Sequence, residues 1–191
     1  MRIIAGSSKG KTLFSPTEKT RPTSDRAREG LFSSLESEFG SMNELNFLDL
    51  YSGSGAVGVE ALSRGAANVF SVEDHEPTAR IATQNFELVK NPGGKFSVIS
   101  TTAERFVAAP HQISFDIIFM DPPYEVANLV IEKLLTDIYE NNLLKRNGIV
   151  AIERETKMKP FNWPSPFIQE KIRSYGQGSI FYGGYSASVL P

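Results

Sequence analysis

Three acids and three glycines in this chain stand at spacings that chemistry can use. Gly53, Gly55 and Gly58 satisfy G-x-G-x-x-G, Asp49 lies four residues before the first of them, and Glu73 lies 20 after it. Glycines between a strand and a helix let a ligand approach the free N–H groups at the helix start. An acid about 20 residues further on suits ribose hydroxyls, so the spacing fits a dinucleotide site. Asp49 favours a different cofactor. A carboxylate aimed into a pyrophosphate site would repel two phosphates. S-adenosylmethionine carries no phosphate and offers a sulfonium and an ammonium, both of which gain from a nearby acid. The expected cofactor contacts are therefore Asp49, Tyr51, Ser52, Gly53, Ser54 and Gly55 in the turn, with Glu73 on the ribose and Asp74 beside it.

The third acid opens the run Asp121-Pro122-Pro123-Tyr124. Two prolines stiffen the backbone and remove two N–H donors, leaving carbonyls to accept. Asp121 adds an anionic acceptor and Tyr124 a flat ring. Acceptors beside a stacking surface suit a planar group bearing an NH₂, such as a nucleobase amine. That nitrogen is a poor nucleophile because its lone pair is delocalised into the ring. Holding both N–H bonds favours a pyramidal nitrogen whose lone pair faces the methyl sulfonium, which is positioning plus electrostatic stabilisation. No strong base is needed, since the methylated ammonium is itself acidic. Carbon-5 cytosine methylation normally needs a cysteine nucleophile, and the chain has no cysteine.

These residues need a scaffold that brings them together. Phe47 to Tyr51 reads as a short buried strand, and from Ala56 the apolar period becomes helical up to a cap at Gly65. Further strands are expected at Asn68–Val72, Lys95–Ser100, Phe115–Met120 and Gly148–Glu153. Helices are expected from Glu76 to about Val89, over Thr102–Val107 and over Val126–Glu140. Phe167–Tyr175 and Ser179–Tyr185 read as a final antiparallel pair. Alternating strands and helices imply a parallel sheet covered on both faces, with ligands beyond the carboxyl ends of the strands. The glycine turn, Glu73, Thr102-Ala103 and Asp121 all follow strands, so they can share one cleft. Residues 1–14 read as a β-hairpin, followed by a helix capped by Thr23 or Ser24 and buried through Ala27, Leu31, Phe32 and Leu35.

A chain of 191 residues suits one domain with a small appendage. His75 and His111 are the only histidines and lie far apart, so no transition-metal site is expected. No apolar run reaches membrane-spanning length, and the basic start lacks the apolar region of a signal peptide, which points to a cytoplasmic protein. The net charge of −2 is unevenly spread. Residues 1–30 hold seven Lys/Arg against three acids, while the rest holds thirteen against nineteen. A basic arm on an acidic body predicts phosphate contacts by Lys9, Lys11, Arg21, Arg26 and Arg28.

Together these segments carry a family resemblance. Arg2-Ile-Ile-Ala-Gly6, Lys9-Gly-Lys-Thr-Leu13, Arg21-Pro-Thr-Ser-Asp-Arg-Ala-Arg-Glu29, Leu48-Asp-Leu-Tyr-Ser-Gly-Ser-Gly55, Glu60-Ala-Leu-Ser-Arg-Gly-Ala66 and Asp121-Pro-Pro-Tyr124 resemble the bacterial small-subunit ribosomal RNA guanine-N2 methyltransferases. The resemblance implies an α/β class I methyltransferase sheet in the order 3-2-1-4-5-7-6 with the last strand antiparallel. It implies S-adenosylmethionine as donor and a guanine of ribosomal RNA as target; a monomer without metal is expected. It divides the chain into an RNA-contacting hairpin and helix, residues 1–40 with Thr23 among the contacts, and a methyltransferase domain, residues 41–191. Where such enzymes often place an Asp near the adenine amine, this chain has Thr102-Ala103. A hydroxyl there accepts with less charge assistance. Adenine-N6 DNA and protein glutamine methyltransferases usually carry Asn where this chain has Asp121. The first would want a target-recognition region and the second a helical domain, and neither fits before the glycine turn. A dinucleotide-binding oxidoreductase or regulatory module is the alternative from another class.

Overall fold

The computed structural model describes residues 1–15, 24–90 and 92–187. In chain order the elements are α1 (Asp25–Phe39), β1 (Asn46–Leu50), α2 (Ala56–Ser63), β2 (Asn68–Glu73), α3 (Glu76–Glu87), β3 (Lys95–Ser100), α4 (Ala103–Ala108), β4 (Phe115–Met120), α5 (Asn128–Glu140), β5 (Leu144–Glu155), β6 (Phe167–Tyr175) and β7 (Gly178–Tyr185). The strands form one seven-stranded sheet in the order β3-β2-β1-β4-β5-β7-β6. The first five neighbours pair in parallel, and β7 runs antiparallel to both β5 and β6. This is the α/β class I methyltransferase sheet, in the expected order.

Alternation along the central strands builds a core on each face. In β4, Ile117 and Phe119 pack with Phe47, Phe32, Val57 and Phe86, while Ile118 and Met120 pack with Leu48, Val107, Ile131 and Leu134. Helices α1, α2 and α3 therefore cover one face, and α4 and α5 the other. The first face also takes in the N-terminal segment through Ile3 and Leu13. The stretches 1–40 and 41–191 bury this core in common.

Several boundaries differ from the sequence reading. Strand β5 starts at Leu144, four residues before Gly148, and α5 starts at Asn128 rather than Val126. The N-terminal hairpin is short, with one isolated bridge between Arg2 and Thr12. It does not lengthen into a ladder because the N–H groups of Ile4 and Ala5 donate instead to the Glu60 carboxylate, at 2.8 and 2.9 Å. At α1, Ser24 is the N-cap, its hydroxyl accepting from the Ala27 N–H at 3.1 Å. Among the described residues no helix is long and apolar enough to cross a membrane.

Candidate active site

The register of the sheet sets the site. Val72, Leu50, Met120 and Ile152 stand side by side across β2, β1, β4 and β5. The next residues, Glu73, Tyr51, Asp121 and Glu153, therefore meet at one rim. A cavity of about 750 Å³ opens there, lined among others by Asp49, Tyr51, Ser52, Gly53, Ser54, Glu73, Asp74, Thr102, Ala103 and residues 121–124. That is the size of a small-molecule site, roughly 300–1,000 Å³. Every expected cofactor and catalytic residue lines it except Gly55.

Gly55 acts one step back. It is the N-cap of α2 with φ +76, a conformation that penalises any side chain, and a Cβ there would sit 3.0 Å from that of Ala82. Tyr51 holds φ +60, a cost for a non-glycine residue that the turn around it must impose. Its hydroxyl donates to Glu104 at 3.2 Å. The turn is locked by Glu73, which accepts from the N–H of Gly53 at 2.9 Å and of His75 at 3.1 Å. Burial pushes the Glu73 carboxyl up, against the pull of those two N–H groups.

Asp49 is 1% exposed and accepts from the Gly58 N–H at 3.0 Å. Desolvation, opposed by that bond and reinforced by Asp121 and Glu73, raises its carboxyl to about 8. A buried acid held partly neutral next to two further acids favours a cationic ligand. The Ser52 hydroxyl is buried and finds no partner, and a Cβ on Gly53 would meet nothing within 4 Å. An orphaned hydroxyl and open space over a glycine backbone fit a ligand with hydroxyl and amine groups. Thr102 caps α4, its hydroxyl accepting from the Arg105 N–H at 3.2 Å.

The loop after β4 is held from behind. Arg154 is 2% exposed; its guanidinium donates to the carbonyls of Val126 at 2.7 Å and Pro123 at 3.3 Å. The Pro123 carbonyl also accepts from the Val126 N–H at 3.0 Å, so only part of the expected acceptor set faces the cavity. Asp121 and Pro122 line the cavity, with the half-buried Tyr124 ring beside them.

The expected RNA contacts divide. Lys9 and Arg26 are exposed, Lys11 donates to the Leu88 carbonyl, and Arg21 and Thr23 lie outside the described residues. Arg28 is corrected. It is 0% exposed, donating to the Arg2 carbonyl at 2.6 Å and to Asp25 at 2.9 Å. One helical turn before Phe32, it falls on the buried face of α1 and cannot meet a phosphate.

The profile of the family described as conserved hypothetical protein 95 matches residues 1–183. "Ribosomal RNA small subunit methyltransferase D" of Haemophilus influenzae is 35% identical over 178 residues, covering 92% of this chain and 89% of that protein. This chain belongs to that methyltransferase family. The protein of the same description from Escherichia coli K12 is 32% identical over 171 residues, covering 85% of this chain and 81% of its own. The solved structure of yhhF from Escherichia coli, 26% identical, superposes with a TM-score of 0.81 over 97% of this chain and 98% of that one.

The segments that carry the family resemblance do two jobs. The glycine turn and Asp121-Pro-Pro-Tyr124 line the cavity. Arg2 to Gly6, Arg28 and Glu60 to Arg64 instead hold one another. Glu104, Glu153 and Arg154 went unnoticed in the sequence. Glu153 and Arg154 directly follow Ile152, the β5 partner of Met120, a position readable only once the strand order is known.

Proposed function

We propose that this chain methylates the exocyclic N2 amine of a guanine in small-subunit ribosomal RNA, using S-adenosylmethionine. The observation that carries the reading is the meeting of the glycine turn and Glu73 with Asp121-Pro-Pro-Tyr124 in one cavity. The family membership supports the RNA substrate, and the set of acceptors supports an amine target. Bound at the turn, S-adenosylmethionine supplies an electrophilic methyl group on a sulfonium. Asp49 contributes negative charge under the turn, Glu73 has lone pairs for ribose hydroxyls, and the Gly53 backbone leaves room for close approach. The target guanine leaves its stack and lies against Tyr124, because an enzyme acting on a base must reach it unpaired. Asp121 and the Pro122 carbonyl accept the two N2 hydrogens and orient the nitrogen lone pair. Transfer would form the N–C bond as the donor's S–C bond breaks, the sulfur leaving as a neutral thioether, and the nitrogen, then positively charged and acidic, would lose one proton to water.

Mass mapping of ribosomal RNA nucleosides from a deletion strain tests this reading. One guanine of the small-subunit RNA should lose its N2 methyl group and regain it with the wild-type gene, not with Asp121→Ala. An unchanged map, or a change at another base, rejects it.

A further inference from the structure

The rim has an acid that this chemistry does not use. Glu153 lies at the end of β5, is 7% exposed, and lines the same cavity as Asp121 and Tyr124. Its direction follows from the pleat. Ala151, two residues earlier, belongs to the core face that holds Phe119, while Ile152 and Arg154 point to the α5 side. Glu153 thus shares a face with Asp121, two residues beyond Phe119. Gly178 on the neighbouring β7 makes room for it: a Cβ there would stand 2.7 Å from the Glu153 Oε1.

The strand order then assigns its side. Across the rim run Glu73 on β2, the glycine turn after β1, Asp121 after β4, Glu153 on β5 and Gly178 on β7. The cofactor residues lie on one side of Asp121 and Glu153 on the other. A base whose amine rests on Asp121 extends its neighbouring edge toward β5. In guanine the N2 amine stands between two ring nitrogens, N1, which carries a hydrogen, and N3, which only accepts, and a carboxylate on β5 can pair with the N1 edge alone; in adenine and cytosine the ring nitrogen beside the amine is an acceptor.

We propose that Glu153 determines specificity for guanine by accepting its N1–H, while Asp121 and Pro122 hold the amine. The inference rests on the guanine-N2 reading above. A carboxylate can only accept, so a base presenting a ring nitrogen lone pair meets repulsion, and a site built for a donor rejects its absence strongly.

The test uses the full-length protein and a ribosomal RNA substrate carrying guanine or 2-aminopurine at the mapped target. 2-Aminopurine keeps the amine but offers a lone pair at N1. The wild type should methylate guanine far faster than 2-aminopurine. Glu153→Gln should lose roughly 10–100-fold in kcat/KM on guanine, the scale of a charge-assisted hydrogen bond. It should gain on 2-aminopurine, because its amide can donate to N1. Unchanged S-adenosylmethionine affinity in the variant shows that the fold and the donor end are intact. If Glu153→Gln is poorly folded, Glu153→Asp, which keeps the charge but shortens the reach, should still lower the guanine to 2-aminopurine ratio. A ratio equal to wild type in a folded variant overturns the role of Glu153. No methylation of guanine by the wild type would instead overturn the reading on which the inference rests.

Discussion

Asp49 and Asp121 are carboxylates on one face of adjacent strands, and burial gives them different tasks. Asp49 is raised to about 8, chiefly by desolvation, so near neutral pH it holds a proton that a cationic ligand should displace. Binding a cation lowers its pKa and releases that proton, so affinity should climb with pH and level off above about 8. The donor's own amine, with an ordinary pKa near ~8, loses charge in the same window and works the other way. Asp49→Asn removes the first effect and keeps the second. Calorimetry from about pH 6 to about pH 9 should show wild-type affinity rising relative to Asp49→Asn; parallel curves would mean that Asp49 does not ionise on binding. In the proposed mechanism Asp121 acts later, on the transition state. Asp121→Ala removes an acceptor that strengthens as positive charge develops, so kcat should fall by roughly 10²–10³. Asp121→Asn keeps an oxygen and should lie between Ala and wild type. Tyr124→Phe should be mild, whereas Tyr124→Ala should lose about 1–3 kcal/mol of base stacking. Single-turnover rates at saturating donor and RNA measure both series, and a wild-type rate for Asp121→Ala would remove this loop from the chemistry.

Helix α2 joins the site to the N-terminal segment, and its charged residues work inside the fold. Glu60, 0% exposed, accepts from the N–H groups of Ile4 and Ala5 and from the Arg64 Nε at 2.8 Å, with the Arg28 Nε at 3.9 Å. Arg64 continues to Glu36 on α1 at 2.8 Å and lies over the Phe32 ring at 4.8 Å. Removing one member of such a network leaves buried charge uncompensated, so Glu60→Ala should cost about 3–5 kcal/mol in urea unfolding. Hydrogen exchange at Ile4 and Ala5 should accelerate in the same variant, since both lose their acceptor. A loss of stability with those two amides still protected would show that another acceptor holds the segment. This network also marks where the sequence was readable and where it was not. Strands such as Phe115–Met120 and the buried stripe of α1 follow from the period of apolar residues, and the glycine turn from residue types at fixed spacing. Arg28 misled because charge reads as exposure, although its place one turn before Phe32 puts it inside. Glu60 was silent because its partners are backbone groups 55 and 56 residues away, which no local pattern records.

Across the whole molecule, the basic excess of residues 1–30 resolves into internal and external charge. Arg28 is inside and Lys11 is tied to the Leu88 carbonyl, while Arg2, Lys9 and Arg26 are exposed around a smaller depression of about 400 Å³, shared with Asp25 and Glu29. This depression adjoins the large cavity: Met1 and Ser24 line the one, and their chain neighbours Arg2 and Asp25 line the other. A base drawn into the large cavity would carry its flanking backbone past these three cations. Replacing Arg2, Lys9 and Arg26 together by Ala should weaken RNA binding and flatten its salt dependence, each lost phosphate contact lowering the slope by about 0.7–0.9. Donor affinity should stay the same, because none of the three lines the large cavity. Arg28→Ala separates charge from fold: it should lower the unfolding midpoint and, in the fraction that remains folded, leave the salt slope of RNA binding as it is in wild type. A triple variant with the wild-type salt slope would mean that the phosphates run over some other part of the surface.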